Sequence, residues 1–321
     1  MFRWKKLGKL FDPTTRADHA WMQEQAQNPY AVVLEKVVRV YFNCRPPRRP
    51  DGTNTSYAGY VDLDRRDLRT IVDVAREPVL RPGGLGEFDE FGVMAGSVIP
   101  WKDRWRCYYV GWTRMRSVPY NWAIGLAEST DGGKTFTRVG RGPVLGATND
   151  EPYLQAGCTS IHLIDGVLHL WYTSGVGWLD DHGKSESAYR IMHATSTDGI
   201  HWERDGRAII NGVYGDEAQA SPSVIRMGGR WHMVFSFRHA IDFRNRERGY
   251  RLGYAWSDDL RTWHRDDAQA GLAPSAVATD WDAEMICYPH ITSIDGRTVL
   301  FYCGNDFGRQ GFGAAVLEEA P

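Results

Sequence analysis

STDGGKTFTR (129–138), STDGIHWERD (196–205) and SDDLRTWHRD (257–266) are three copies of one signal. Each pairs an Asp-Gly or Asp-Asp turn with an aromatic residue (Phe136, Trp202 or Trp263) and a basic one. Each follows a strand-like run: AIGLAE, RIMHAT or RLGYAW. A tight acidic or glycine turn between two β-rich runs is the signature of a hairpin. The turn aspartates Asp131, Asp198 and Asp259 are spaced by 67 and 61 residues, so the unit that recurs is about 60 residues long.

A second repeat lies upstream of each hairpin. AGSVIPWKDRWRCYYVG (95–111) matches GCTSIHLIDGVLHLWYTSG (157–175), SPSVIRMGGRWHMVFSFR (221–238) and YPHITSIDGRTVLFYCGN (288–305), with a weaker copy in NPYAVVLEKVVRVYFNCR (28–45). Each is an apolar strand, a short turn and an aromatic-rich strand. Five four-stranded units predict an all-β protein, a five-bladed β-propeller of antiparallel blades formed by the whole chain, 1–321. The blades fall at roughly 25–80, 88–145, 150–210, 216–272 and 282–321. The last lacks an outer strand after GFGAAVLEEA, and FRWKKLG near the N-terminus resembles HWERDG, so strand 2–8 is expected to close the ring and remove exposed edges. RADHAWMQEQAQ (16–27) is the best helix candidate.

Composition narrows the function. A net charge of -2 over 321 residues gives no basic field for nucleic acid. No stretch approaches the about 18 apolar residues of a membrane helix, and the N-terminus lacks a signal-peptide core. Five cysteines without metal-ligand spacing read as buried thiols in a reducing cytoplasm. Nothing in the spacing calls for zinc, calcium or an organic cofactor, and nothing fixes the oligomeric state.

The candidate chemistry lies where innermost strands begin. Asp89-Glu90 in GEFDEFGVMAGSVI (86–99), Asp150-Glu151, Asp216-Glu217, and Asp282 with Glu284 recur at equivalent points in four blades, with Asn28-Pro29 in the remaining one. In a propeller such points would surround the axis, which predicts a carboxylate-lined pocket suited to acid/base chemistry. Arg238 and His239 follow the second strand of blade 4, His290 sits in the first strand of blade 5 and Asp306 follows its second strand. Arg238 is a candidate anion clamp. Trp112 and Trp178, with Trp122 and Trp281, are candidate platforms for sugar rings, whereas Trp105, Trp171, Trp202, Trp231 and Trp263 read as blade packing.

With NPYAVV, FDEFGVMAGSVI, DEPYLQAG, DEAQASPSVI and WDAEMICYPHI in place, nearly the whole chain resembles the five-bladed propeller glycosidases of families 32, 43, 68 and 130, and the family 32/43-like proteins of bacterial polysaccharide clusters. That resemblance implies a carbohydrate-active enzyme that cleaves or forms a glycosidic bond. Families 32 and 43 place a catalytic Asp in blade 1 where this chain has Asn28. Family 130, mannoside phosphorylases and hydrolases, has an Asn-Pro there and takes its acid from blade 2, where this chain has Asp89 in FDEFG rather than an EDPR-type sequence. The expected catalytic set is therefore Asp89, Glu217 and Glu284. Asn28, Glu90, Glu151, Arg238, His239, His290, Trp112, Trp178 and Asp306 would bind the carbohydrate, with phosphate or an acidic sugar at Arg238. A phosphorylase or glycosyltransferase, a non-catalytic sugar-binding propeller and a protein-interaction scaffold are the alternatives.

Overall fold

The computed structural model describes residues 1–16 and 19–320. Its first strand, β1 (Arg3–Phe11), leads into blade 1: β2 (Glu24–Val33), β3 (Val37–Arg45), β4 (Tyr57–Asp64) and β5 (Ile71–Val74). Blade 2 is β6 (Gly92–Trp101), β7 (Arg104–Thr113), β8 (Asn121–Ser129) and β9 (Thr137–Arg138). Blade 3 is β10 (Gln155–Ile164), β11 (Val167–Asp181), β12 (Lys184–Ser196) and β13 (Glu203–Arg204). Blade 4 is β14 (Glu217–Met227), β15 (Arg230–His239), β16 (Arg251–Ser257) and β17 (His264–Arg265). Blade 5 takes β18 (Cys287–Ile294), β19 (Arg297–Cys303) and β20 (Phe312–Glu319) from the C-terminal region. Its fourth strand is β1, paired antiparallel to β20 from Arg3 opposite Glu319 to Phe11 opposite Phe312. The innermost strands β2, β6, β10, β14 and β18 contact one another in a closed ring.

The hairpin repeat has a double purpose. Within each turn the aspartate caps free backbone donors: Asp131 Oδ1 accepts from the N–H groups of Lys134 and Thr135, Asp198 Oδ1 from those of Ile200 and His201, and Asp259 Oδ1 from those of Arg261 and Thr262. The same turns dock on the preceding blade, where the Tyr41 hydroxyl donates to the Gly133 carbonyl and the Tyr108 hydroxyl to that of Gly199. The aromatic residue that follows each turn packs there too. Phe136 meets Tyr41 at 5.9 Å, Trp202 meets Tyr108 at 5.7 Å and Trp263 meets Trp171 at 6.2 Å between ring centroids.

Residues 16–27 do not form the expected helix. Ala17 and Asp18 lie outside the described residues, and from His19 onward the segment is a turn followed by β2. Its glutamines favour a helix locally, but β2 pairs with β3, Glu24 opposite Arg45 and Gln27 opposite Asn43, and sheet bonding replaces helical bonding. All five cysteines are free and buried.

Candidate functional site

Every innermost strand breaks register at the same level. The interruptions fall between Gln27 and Tyr30, Ala95 and Val98, Ala156 and Ser160, Ala220 and Ser223, and Cys287 and His290. Such bulges bend a strand and re-aim its side chains. At four of them a residue adopts left-handed backbone: Asn28 (φ 52°), Gly157 (φ 55°), Ser221 (φ 50°) and Tyr288 (φ 54°). Non-glycine residues pay about 1–3 kcal/mol each for such conformations, which persist where the surrounding structure enforces them and cluster at functional sites.

These bulges form the wall of a central cavity of about 430 Å³. Asn28, Gly157, Ser221 and Tyr288 line it, joined by Gln25 (φ 63°) and Phe307 (φ 60°), which are also left-handed. Asn28 reaches across blades, donating to Asn43 Oδ1 at 3.1 Å and accepting from the Ser221 hydroxyl at 3.4 Å. Tyr120 and Trp122, stacked at 4.4 Å with an interplanar angle of 7°, form one side. Trp178, on the long β11–β12 hairpin, leans on Tyr120 at 5.3 Å. Phe243, Tyr250, Tyr288 and Phe307 form the other.

The charges on this wall are unbalanced. Arg45, Arg48, Arg238 and Arg244 line the cavity, and among the described residues that line it Glu186 is the single carboxylate. Glu186 is buried and accepts from Arg244 at 2.6 Å. Arg238 is 3% exposed and has no carboxylate partner among the described residues. Its guanidinium lies 3.4 Å over the Phe243 ring and donates to the His239, Ala240 and Ser187 carbonyls and to the Tyr189 hydroxyl, while its Nε has no partner. The Tyr189 and Tyr250 hydroxyls are hydrogen-bonded to each other. Burial pushes the Tyr250 and Tyr288 hydroxyls well above their ordinary range, so both remain neutral.

The four recurring acids occupy equivalent places, as their spacing predicts, but those places are not on the cavity. Each is 1–2% exposed and is bound to a basic residue on the outermost strand of its own blade. Asp89 meets Arg138 at 2.6 Å, Glu217 meets Arg265 at 2.7 Å, Asp282 meets Lys6 at 2.7 Å and Glu151 meets Arg204 at 3.5 Å. Tyrosine hydroxyls complete three of the four, from Tyr109 to Asp89, Tyr172 to Glu151 and Tyr302 to Asp282. In blade 4 the donor is Gln219. A buried carboxylate needs a cation and hydrogen bonds, and the outer strand supplies the cation. The expected crowding of acids around the axis is corrected accordingly.

The remaining expected residues divide plainly. Asn28 and Arg238 line the cavity. Glu90 caps a turn through the Gly86 N–H, Glu284 and Asp306 are exposed, and His239 pairs with Asp216 at 2.9 Å beneath the stacked ring of Tyr214. Trp112 donates to the Ser56 hydroxyl. His290 lies in a separate cavity of about 230 Å³ with Tyr30 and His162, where burial lowers its pKa to about 3. Apart from Asn28 and Arg238, none of the expected residues lines the central cavity, Asp89, Glu151 and Glu217 included. Sequence reading passes over Glu186 and the tyrosines, and it takes the basic run 45–49 for a solvated loop, whereas Arg45 and Arg48 line the cavity. The signal for Glu186 is the greater of the two repeat spacings, which spans the extended hairpin that carries it.

No family model matches the chain. It is 35% identical over 317 residues to the uncharacterized protein Rv1502 of Mycobacterium tuberculosis (strain ATCC 25618 / H37Rv), covering 98% of this chain and 99% of the relative. Over 200 residues it is 27% identical to the 1,2-beta-oligomannan phosphorylase of Thermoanaerobacter sp. (strain X514), covering 61% and 57% of the two chains. Among solved structures it superposes on a "Glycoside hydrolase" with a TM-score of 0.74 at 15% identity, covering 98% of this chain and 92% of that one. It also superposes on "The GH130 family of mannoside phosphorylases contains glycoside hydrolases that target beta-1,2 mannosidic linkages in Candida mannan" with a TM-score of 0.65 at 16% identity, covering 98% and 90%. Both structural likenesses are likenesses of fold. With its five closed blades and near full-length match, the chain belongs to the family of Mycobacterium tuberculosis Rv1502, built on the five-bladed propeller found among glycoside hydrolases and mannoside phosphorylases.

Proposed function

We propose that the protein is a carbohydrate-active enzyme that breaks or forms a glycosidic bond in the central cavity by phosphorolysis or its reverse. The observation that carries this reading is the charge of the wall, one carboxylate, Glu186, among four arginines. Hydrolysis by the usual inverting or retaining routes takes two carboxylates, one for the leaving oxygen and one to activate water or attack carbon. Phosphorolysis takes one, because phosphate brings its own nucleophilic oxygen and needs cations to hold it. In the forward direction a phosphate oxygen attacks the anomeric carbon, the bond from that carbon to the glycosidic oxygen breaks, and the leaving oxygen takes up the proton that hydrogen phosphate brings, passed on through the Glu186 carboxylate. In this reading the Nε of Arg238, which has no protein partner, would bind phosphate, and the Tyr120–Trp122 stack would bind the apolar face of a sugar ring. The likeness to an oligomannan phosphorylase supports the same reading. A cytoplasmic location, where phosphate and sugar 1-phosphates are at hand, belongs to this proposal.

The test is a screen of the purified protein against manno- and gluco-oligosaccharides with and without phosphate, and against the sugar 1-phosphates with acceptors. Sugar 1-phosphate release that needs phosphate, and that falls roughly 10²–10⁴-fold in Glu186→Gln, is the expected result. Equal turnover without phosphate, or full activity in Glu186→Gln, overturns it.

A further inference from the structure

Arg238 belongs to blade 4, and a second group of unbalanced cations stands in blade 1, two blades away around the ring. Arg45 ends β3 and Arg48 follows it, and both line the central cavity. Among the described residues neither forms an ion pair with a carboxylate. The Arg45 Nε is buried and has no hydrogen-bond partner. The carboxylate that Arg45 feels is Glu24, which is itself paired with Arg309 at 3.5 Å near the surface. Burial is the main effect that disfavours the charge on Arg45, and the neighbouring Arg48 disfavours it further. Arg45, part-buried with an orphaned Nε, and Arg48, exposed beside it, are two like charges on one cavity wall that an anion would satisfy.

One phosphate at Arg238 leaves this second group unmatched. We infer that the carbohydrate handled in the cavity carries an anionic substituent of its own, a phosphate monoester or a carboxylate, which docks on Arg45 and Arg48 while the reacting phosphate occupies the Arg238 side. This rests on the proposed phosphorolytic reading and adds the substrate class. Tyr288, part-buried and left-handed at φ 54°, stands on blade 5 between blades 4 and 1, on the same cavity wall as both groups. A neutral hexose offers neither arginine an ionic acceptor, and specificity for the charged sugar would follow from the buried Arg45 Nε that its neutral analogue leaves without one.

Calorimetric titration of the full chain tests this with mannose, mannose 6-phosphate, glucose, glucuronate and inorganic phosphate. The wild type is compared with an Arg45→Gln, Arg48→Gln double variant and with Arg238→Gln, each checked for an unchanged circular dichroism spectrum and melting temperature. The expected result is tenfold or tighter binding of mannose 6-phosphate over mannose, or of glucuronate over glucose, lost in the double variant, while inorganic phosphate still binds that variant and fails to bind Arg238→Gln. Which charged sugar wins identifies the substituent as phosphate or carboxylate. Equal affinity for charged and neutral sugars, or a preference that survives in the double variant, overturns the inference and leaves phosphorolysis standing if phosphate still binds. A preference lost in the double variant without any phosphate binding to the wild type supports the charged sugar and removes the phosphorolytic reading instead.

Discussion

Arg138, on the outermost strand of blade 2, lies 2.6 Å from Asp89, just ahead of the innermost strand of the same blade. The contact spans the blade's full width and recurs as Arg204–Glu151, Arg265–Glu217 and Lys6–Asp282. Blade 1 has no such clamp among the described residues, and its Asn28-Pro29 falls at the strand bulge, level with Ser221-Pro222 and Tyr288-Pro289, rather than at the acid position. The acids are therefore fasteners, each holding the ends of its own blade together.

Asp89→Asn should consequently lower stability while sparing catalysis. Removing one partner of a buried ion pair costs on the order of 3–5 kcal/mol, because the other charge is left without compensation. Urea unfolding should show a loss of that size. Turnover per folded molecule should stay within a factor of about three, a range far below the loss expected for a proton donor. A hundredfold loss of turnover at unchanged stability would return Asp89 to the chemistry.

Trp122→Ala should weaken carbohydrate binding. Its ring is half of a parallel stack with Tyr120, lines the cavity wall and is part-buried against the core shared by blades 2 and 3. Loss of an aromatic face is worth roughly 1.4 kcal/mol, or about tenfold in KM for the sugar, with the apparent affinity for phosphate unchanged. The same variant assayed at saturating sugar should recover most of kcat. An unchanged KM would mean that the sugar sits elsewhere.

Removal of residues 1–11 should open the ring. β1 supplies the fourth strand of blade 5, Phe2 is 1% exposed against Tyr254 at 5.1 Å, and Lys6 neutralises buried Asp282. Without β1, the edge of β20 is bare and Asp282 is unpaired, conditions that favour association through strand edges. Size-exclusion chromatography should show aggregates, reduced by adding a peptide of residues 1–12. A monomeric truncated chain with an unchanged melting temperature would contradict the closure.

Acid should destabilise the fold well above the carboxylate range. Burial lowers His290 to about 3, and burial together with His169 lowers His193 to about 4. In the unfolded chain both titrate near 6.5, so below that pH the unfolded state binds more protons than the folded one. The stability they allow is complete above pH 6.5 and is lost as pH falls toward 4 and 3. Each group contributes about 1.4 kcal/mol per pH unit in that window. Unfolding free energy should thus drop by roughly 3 kcal/mol or more between pH 7.5 and 5, and a His193→Gln, His290→Gln double variant should lose most of that slope.

The architecture was legible because a propeller writes itself into sequence as a period. The capped turns at Asp131, Asp198 and Asp259 and the aromatic residues after them are local features with local causes, and they recur. The closing strand was legible for the same reason, since FRWKKLG resembles the outer-strand run HWERDG and blade 5 lacks such a strand. The acids were found in register but assigned the wrong surroundings. The basic residues that neutralise them stand in the same quoted repeats, at Arg138, Arg204 and Arg265, yet nothing local says that the two ends of a four-stranded unit will meet.

Sequence by itself thus determined the repeating unit, the number of blades, the closing strand and two cavity residues, Asn28 and Arg238, because strand pattern and turn chemistry act over a few residues. Only the tertiary structure decided which polar groups face the axis. The bulges at Asn28, Gly157, Ser221 and Tyr288 reverse local side-chain direction, and the β11–β12 extension carries Glu186 over the cavity. A carboxylate in this fold is placed by where its buried charge can be neutralised, and that depends on partners as far away in sequence as Lys6 is from Asp282.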